Sequence, residues 1–482
     1  MAEERPPLPS GLVAFVKRAC PTCELVAPVL AEIAARTKLT VYTQDDPTFP
    51  EGVDPQDDTR LERSWHHQID TVPTLLRVED GVEKERRLGW HRGEWEETTG
   101  LANLGAELPD WRPGCGSLSV DPNLTATLRV RFEGSRLASR RVELAELEDE
   151  QEAMIARGWS DGLPLTPPTE ARVLAMLEGT TRAPDEVVAV VPPNLAECTV
   201  EKVAVNAVLA GCRLEYLPVV IAALEAVCTD EFNVHGVLAT TMGMTPLLVV
   251  NGPIRRKIDM NSGVAVLAHG NRANATIGRA LQLVLRNVGG TWPGGTDRST
   301  FGHPGKLGFC FAEDEESSPW EPLSVELGFE PGVSTVTAYA VEGPRLVVDQ
   351  LSRDPDSLAK SLAAVLRGVG HPKMCIALSA LVVIGPEHAR VFQQAGWSKA
   401  QLLERLHAEL TRKGFEVARG AGGIAEGMPL PDAALEADIP KFLPGNLRIV
   451  HAGSGAGLFS SILGGWLTGA SGSQMVTKEI RA

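Results

Sequence analysis

Hydrophobic and polar positions alternate along this chain in a way that divides it into short strands and helices. Leu12-Val13-Ala14-Phe15-Val16 is a continuous apolar run of strand length, and residues 24–35 set Leu25, Val26, Val29, Leu30 and Ile33 along one helical side. Leu39–Thr43 predicts a second strand, residues 45–58 a loop rich in Pro, Gly and Asp, and a short polar helix then ends near His66-His67. Strand-like runs at 69–78 and 84–90 flank Asp80-Gly81, which predicts a hairpin. A last helix starts at Gly93 or Glu94 and closes near Leu104.

The pattern then breaks around Trp111-Arg112-Pro113-Gly114-Cys115-Gly116-Ser117, where proline and glycine predict a joint between domains. Residues 124–132 alternate and predict a strand, and 142–151 predict a charged helix. From 150 onward helix-like and strand-like segments alternate. Val187–Val191 reads as a strand ending at Pro192-Pro193, 199–209 and 217–227 as helices with Thr199 as N-cap, 247–250 as a buried strand, 276–288 as an amphipathic helix and 336–341 as a strand. The class this predicts is α/β, with apolar strands covered on both faces. The expected organisation is a first domain at 1–105, a linker with a connecting strand and helix at 106–149, and a larger α/β domain at 150–482. Leu247–Val250 followed by Gly252-Pro253 is echoed about 133 residues later by 381–384 followed by Gly385-Pro386, which leaves an internal duplication open beside ordinary βα grammar.

Composition narrows the classes of function. The 482 residues carry a formal charge of −16, which argues against a nucleic-acid partner. The opening Met1-Ala2-Glu3-Glu4-Arg5-Pro6-Pro7 lacks the basic-then-apolar order of a secretory signal. The late apolar run at 456–470 is glycine-interrupted and falls short of the roughly 20 residues that span a bilayer. Six of the eight cysteines stand alone in sequence (Cys115, Cys198, Cys212, Cys228, Cys310, Cys375), as expected in a reducing compartment. The expectation is a cytoplasmic protein with no membrane partner.

Chemistry concentrates at Cys20-Pro21-Thr22-Cys23, between the first apolar run and the first helix. A thiol at a helix N-terminus meets unpaired amides and the positive end of the macrodipole, so its thiolate is favoured. Lys17 and Arg18 add positive potential, and such thiols have pKa values of about 3.5–7.5 instead of about 8.5. A zinc half-site or an inert pair of thiols is the competing reading, but zinc takes four ligands and the nearest histidines, His66 and His67, belong to another element.

The order β-α-β-α-β-β-α, with Cys-x-x-Cys after the first strand and Val72-Pro73-Thr74 opening a later one, resembles the thioredoxin superfamily over roughly residues 8–105. The resemblance implies Cys20 as attacking thiol, Cys23 as resolving thiol, and Pro73 as a cis-proline facing them. It also implies that the backbone of Val72 is free to pair with a bound thiol or peptide substrate. Three departures point to a dedicated partner: Pro-Thr between the cysteines instead of Gly-Pro, Ala19 in place of Trp, and Ala14 in place of a buried Asp. Cys115-Gly116-Ser117 is similar to a redox motif of certain uncharacterised bacterial (seleno)proteins, but Leu118 stands where their second cysteine falls. Residues 150–482 resemble only uncharacterised bacterial proteins, chiefly through Gly158-Trp159-Ser160-Asp161-Gly162-Leu163-Pro164, and no reaction follows from that likeness.

Other candidates are separate. Cys115 is either a thiol that exchanges with Cys20 or Cys23, or a nucleophile at an interdomain cleft, or a plain loop cysteine. Asn271, Arg272, Asn274 and Arg279 at a helix start are candidate anion or cofactor contacts, with helix capping as the alternative. His303, in a glycine-rich stretch, is a candidate base or ligand with Glu313 as its carboxylate partner. Gly453-x-Gly455-x-Gly457, between a strand and an expected helix, is a candidate phosphate loop, and His371 and Cys375 are candidates to share a helical face. The leading expectation is a thiol–disulfide oxidoreductase module, Cys20 and Cys23, fused to an α/β catalytic domain acting on a thiol-linked or redox-coupled small substrate. Its partners are a thiol or disulfide substrate, with a reductase and a homo-oligomer left open. No cofactor beyond the dithiol and no metal is implied. The alternatives are a scaffold that uses the fold for docking, and a lyase or hydrolase with a redox switch.

Overall fold

The computed structural model describes residues 5–134, 137–145, 148–469 and 472–481. The chain divides into two compact units, one of residues 1–136 with 170–174 and one of 137–169 with 175–482.

In the first unit, β1 (Gly11–Val16) is followed by α1 (Pro21–Arg36) and β2 (Leu39–Thr43). β3 (Gln56–Asp57), α2 (Glu62–His66) and β4 (Thr71–Val72) lead to a cis peptide bond at Val72-Pro73. β5 (Thr74–Glu79) and β6 (Val82–Leu88) form the hairpin, turning through Asp80 and Gly81 with φ of 50° and 76°. That pair of positive φ angles is what a two-residue hairpin turn needs, hence Asp-Gly. The sheet order is β3-β2-β1-β5-β6, with β1 parallel to β2 and antiparallel to β5. Ala14 sits between Val41 and Leu75 at its centre. α1 buries Val26, Val29, Leu30 and Ile33 in the core that also takes in Val13, Phe15 and Leu75.

The chain continues through β7 (Trp90–His91) and α3 (Arg92–Thr99) into the segment expected to be a linker. That segment carries two short strands: β8 (Trp111–Arg112), which pairs with β7, and β9 (Cys115–Gly116), which pairs with β4. The strand expected at 124–132 is instead a helix, α4 (Pro122–Glu133). Asp121 caps it by accepting the Asn123 N–H at 2.8 Å, Pro122 occupies its first turn, and Leu128 and Phe132, four apart, pack with Leu61. The helix expected at 142–151 begins only at Glu150; 142–145 are irregular and 146–147 lie outside the described residues.

The second unit is built on an eight-stranded mixed sheet flanked by helices, which is an α/β arrangement. Thr245–Asn251 runs parallel to Cys310–Ala312 and antiparallel to Thr335–Val341. Leu378–Ile384 runs parallel to Leu447–His451 and antiparallel to Phe459–Leu467. The two triplets meet where Val341 pairs with Gly465. Each then lends a strand to the other: Arg345–Val348 pairs with Phe459–Leu467, and Val476–Glu479 with Thr335–Val341. The sequence echo thus corresponds to a repeated connectivity. Gly252 and Gly385 mark equivalent points in it, since a Cβ on either would stand 2.4 Å from the Val333 carbonyl or 2.3 Å from that of Phe459. Apolar strands are covered on both faces as expected: Ala380, Val382 and Ile384 pack with Leu358, Leu362 and Leu402, while Leu381 and Val383 pack with Val249, Phe311 and Val450.

Two local expectations fail here. The run after Gly453–Gly457 is the strand Phe459–Leu467, not a helix, because its residues 460–465 are all buried in the sheet and carry two glycines that disfavour a helix. Residues 371–377 are irregular, so His371 and Cys375 share no helical face. Among the described residues no helix is long and apolar enough to cross a membrane.

Candidate functional site

β1 delivers the chain to a loop fixed by Asp45, whose carboxylate accepts the backbone N–H groups of Arg18 and Ala19 at 2.7 and 2.8 Å. Cys20 follows as the N-cap of α1 with extended φ of −143°, and Pro21 opens the helix. Its Sγ accepts the Cys23 N–H at 3.3 Å and lies 3.6 Å from the Val72 carbonyl oxygen. Cys20 is 1% exposed and Cys23 lies fully enclosed beneath it.

The third thiol is Cys115, half-buried, with Sγ 2.8 Å from that of Cys20. Cys115 is held there from both sides. Val72 pairs with Cys115 and Thr71 with Gly116 in the antiparallel β4–β9 pair. Thr22 Oγ1 donates to the Pro113 carbonyl at 2.7 Å, and Lys17 Nζ donates to the Gly116 carbonyl at 2.7 Å. Gly114 makes the approach feasible, because a Cβ there would stand 2.3 Å from Thr71 Cγ2 and 2.9 Å from the Val72 oxygen. Beyond Cys115 a buried polar network continues the anchoring: Gln44 Nε2 donates to Ser64 and Ser117, and Gln44 Oε1 accepts the Leu118 N–H.

This surrounding sets the charge of each sulfur. The Cys20 thiol is lowered from 9.0 to about 5, first by hydrogen bonding with the Cys23 side chain, then by that with Cys115 and by the amides of Cys23 and Thr22, against the opposing effect of burial. Burial pushes Cys23 far up, and its bond to Cys20 adds to this. Burial also raises Cys115, again reinforced by Cys20. The negative charge therefore resides on Cys20, with two protonated thiols beside it. The cationic contribution expected of Arg18 is spent elsewhere, since its guanidinium pairs with Asp46.

The structure accounts differently for the other candidates. Asn271 caps the helix Arg272–Asn287 by accepting the Asn274 N–H at 2.9 Å. Asn274 clasps the backbone of Asn261 through both ends of its amide, and Arg272 donates to the Gly211 carbonyl. Arg279 forms a bidentate pair with Asp161 at 2.7 and 2.8 Å and reaches the Pro164 carbonyl. Gly158–Pro164 is thus a docked loop, further held by Arg286, which donates to the Gly158 carbonyl and stacks 4.0 Å over the Trp292 ring. His303 and Glu313 are not brought together. His303 caps a short turn through Gly305 N–H and abuts Phe309, whereas Glu313 accepts from Asn251 Nδ2 at 2.6 Å and from Leu323 N–H at 2.9 Å. Among the described residues no group of three or more His, Cys, Asp or Glu is arranged to hold a metal ion.

Sequence reasoning missed the parts of the site that act through backbone. Asp45, Gln44 and Gly114 carry no motif; their only signal is position, directly after a strand or directly before a cysteine. No protein-family model and no curated protein matches the chain. What the geometry defines by itself is a three-thiol cluster on a mixed sheet, with one sulfur poised as thiolate.

Proposed function

We propose that the first unit is a thioredoxin-like thiol–disulfide exchange module in which Cys20 attacks a disulfide and Cys23 lies behind it as a second thiol. The observation that carries this reading is the Cys20 sulfur itself, capped by the Cys23 amide at a helix N-terminus and lowered to about 5. The sheet order and the Val72-Pro73 edge beside the cysteines support the same reading. In the first step a sulfur–sulfur bond of the substrate breaks as Cys20 forms a mixed disulfide, and the substrate's other sulfur leaves as a thiolate. A protein thiol then displaces the bound half, so two electrons pass from the protein to the substrate. A reductant of the cytoplasm, enzyme or small dithiol, restores the thiols. Ala14 is buried where the thioredoxin resemblance expects an Asp that assists proton transfer, and its methyl group supplies no carboxylate for that task, which favours a dedicated disulfide partner over broad protein reduction.

The test is turnover of an aromatic low-molecular-weight disulfide with dithiothreitol as final reductant, comparing wild type with Cys20→Ser. Loss of turnover in the variant is expected. Equal turnover in both would end the proposal.

A further inference from the structure

We infer that Cys115 is the disulfide partner of Cys20, and that β9 lies across the Cys20 sulfur as a substrate segment carried by the chain itself. This rests on the exchange chemistry proposed for Cys20.

Three observations converge on it. The two sulfurs are 2.8 Å apart, against a disulfide length of about 2.05 Å. The strand that bears Cys115 adds to the edge of β4 in antiparallel register, Val72 opposite Cys115, as an extended peptide adds to a sheet edge. The groups that hold this strand come from the dithiol loop: Thr22, between the two cysteines, binds the carbonyl two residues before Cys115, and Lys17 binds the carbonyl one residue after it. A peptide recognised by those same groups would place its own cysteine at the same point. Cys23, by contrast, is sealed under Cys20 in the apolar core with Val13, Val26 and Trp95.

The exchange balances without any further reactant. Cys20 thiolate attacks an external disulfide R–S–S–R′ when β9 lifts, forming Cys20–S–S–R and expelling R′S⁻. When β9 returns, the Cys115 thiol gives its proton to R′S⁻ and its sulfur attacks Cys20 Sγ. The Cys20–Cys115 bond forms and RS⁻ leaves. Both protein thiols are oxidised and one external disulfide is reduced. The returning strand displaces the substrate from the register it occupied, so product release and closure are one event.

The experiment treats the reduced full-length protein with one equivalent of oxidised glutathione, quenches with acid and maleimide, and maps disulfides in non-reduced digests. Wild type is expected to give a Cys20–Cys115 crosslink with Cys23 recovered as free thiol. Cys23→Ala is expected to close the same bond, whereas Cys115→Ser is expected to hold the Cys20–glutathione adduct about tenfold longer, since an intramolecular thiol has been lost. A Cys20–Cys23 crosslink alone, with Cys115→Ser closing at the wild-type rate, would overturn the inference and leave the exchange reading standing. No adduct on Cys20 in any protein would remove both. The wild-type map decides the matter even if a variant fails to fold.

Discussion

Thr22 and Pro113 are joined by a hydrogen bond of 2.7 Å, the threonine hydroxyl donating to the proline carbonyl. One of the two residues between the cysteines of the helix cap therefore holds the strand that carries the third. Sequence separation hides this link, since the partners are 91 positions apart. Local and distant parts of the site are one mechanical object, and each can be loosened through the other.

Thr22→Val keeps the shape of the side chain and deletes the donor, leaving the Pro113 carbonyl unpaired. The expected cost is about 1 kcal/mol of stability. The more telling effect is kinetic: with β9 less firmly held, Cys20 should alkylate several times faster with iodoacetamide, read by mass spectrometry at fixed pH. An unchanged rate with the same loss of stability would show that β9 does not govern access to Cys20.

The titration of Cys20 gives a second expectation. Its thiol is lowered to about 5 while Cys23 and Cys115 are raised. Alkylation of Cys20 in the reduced protein should thus rise with a midpoint near pH 5 and be flat from about pH 6.5 to 8. Labelling at Cys23 should be negligible until the chain unfolds. The sign follows from the charge: the fold favours ionised Cys20, so that contribution is present above the unfolded value of 9.0 and is lost as pH falls toward about 5. A Cys20 midpoint near 9 would contradict the hydrogen-bonded arrangement around the sulfur.

The elements of the first hundred residues were legible because their signals are local. An apolar run, a cap with proline at the first turn, and Asp-Gly in a hairpin each act within a few residues. Cys115 was not placed by such signals. β8 and β9 have two residues each and exist only because β7 and β4 offer edges, and because Gly114 admits the close approach. Residues 124–132 misled for a different reason: Leu124, Leu128 and Phe132 satisfy a helical spacing as well as an alternating one, and Asp121-Pro122 is the cap that separates the two. Likewise Asn271, Arg272, Asn274 and Arg279 have the composition of an anion site, yet every one of them bonds within the chain. Polar residues at a helix start look alike in sequence whether they bind a ligand or a neighbouring loop.

Arg279 and Asp161 test that last distinction. The pair is partly buried, with side-chain exposures of 16% and 11%, and its guanidinium also holds the Pro164 carbonyl. Truncating either residue to Ala should cost about 1.5–3 kcal/mol in urea unfolding, as for hydrogen bonds to charged groups. The double variant should cost well under the sum of the two, with a coupling of about 0.5–3 kcal/mol. Additive losses would mean that Arg279 acts elsewhere, and a bound anion would then become the better account of this helix start.

Glu313 supplies the remaining prediction, because its carboxyl is wholly enclosed at the end of Cys310–Ala312. Burial raises it above the ordinary 4.5, aided by Glu315 and opposed by the Lys399 charge, by Asn251 and by the Leu323 amide. A carboxyl raised on folding favours the native state fully below its unfolded value, and that contribution is lost as pH climbs through the folded value. Glu313→Gln keeps an acceptor for Asn251 Nδ2 and the Leu323 N–H but cannot ionise. The variant should therefore gain on the wild type as pH rises above the ordinary 4.5, read as the difference between their urea midpoints at matched m-values. A difference that stays constant would show that Glu313 is not the group responsible. A wild type that gains on the variant with pH would mean that ionised Glu313 is stabilised in the fold, with Lys399 outweighing burial.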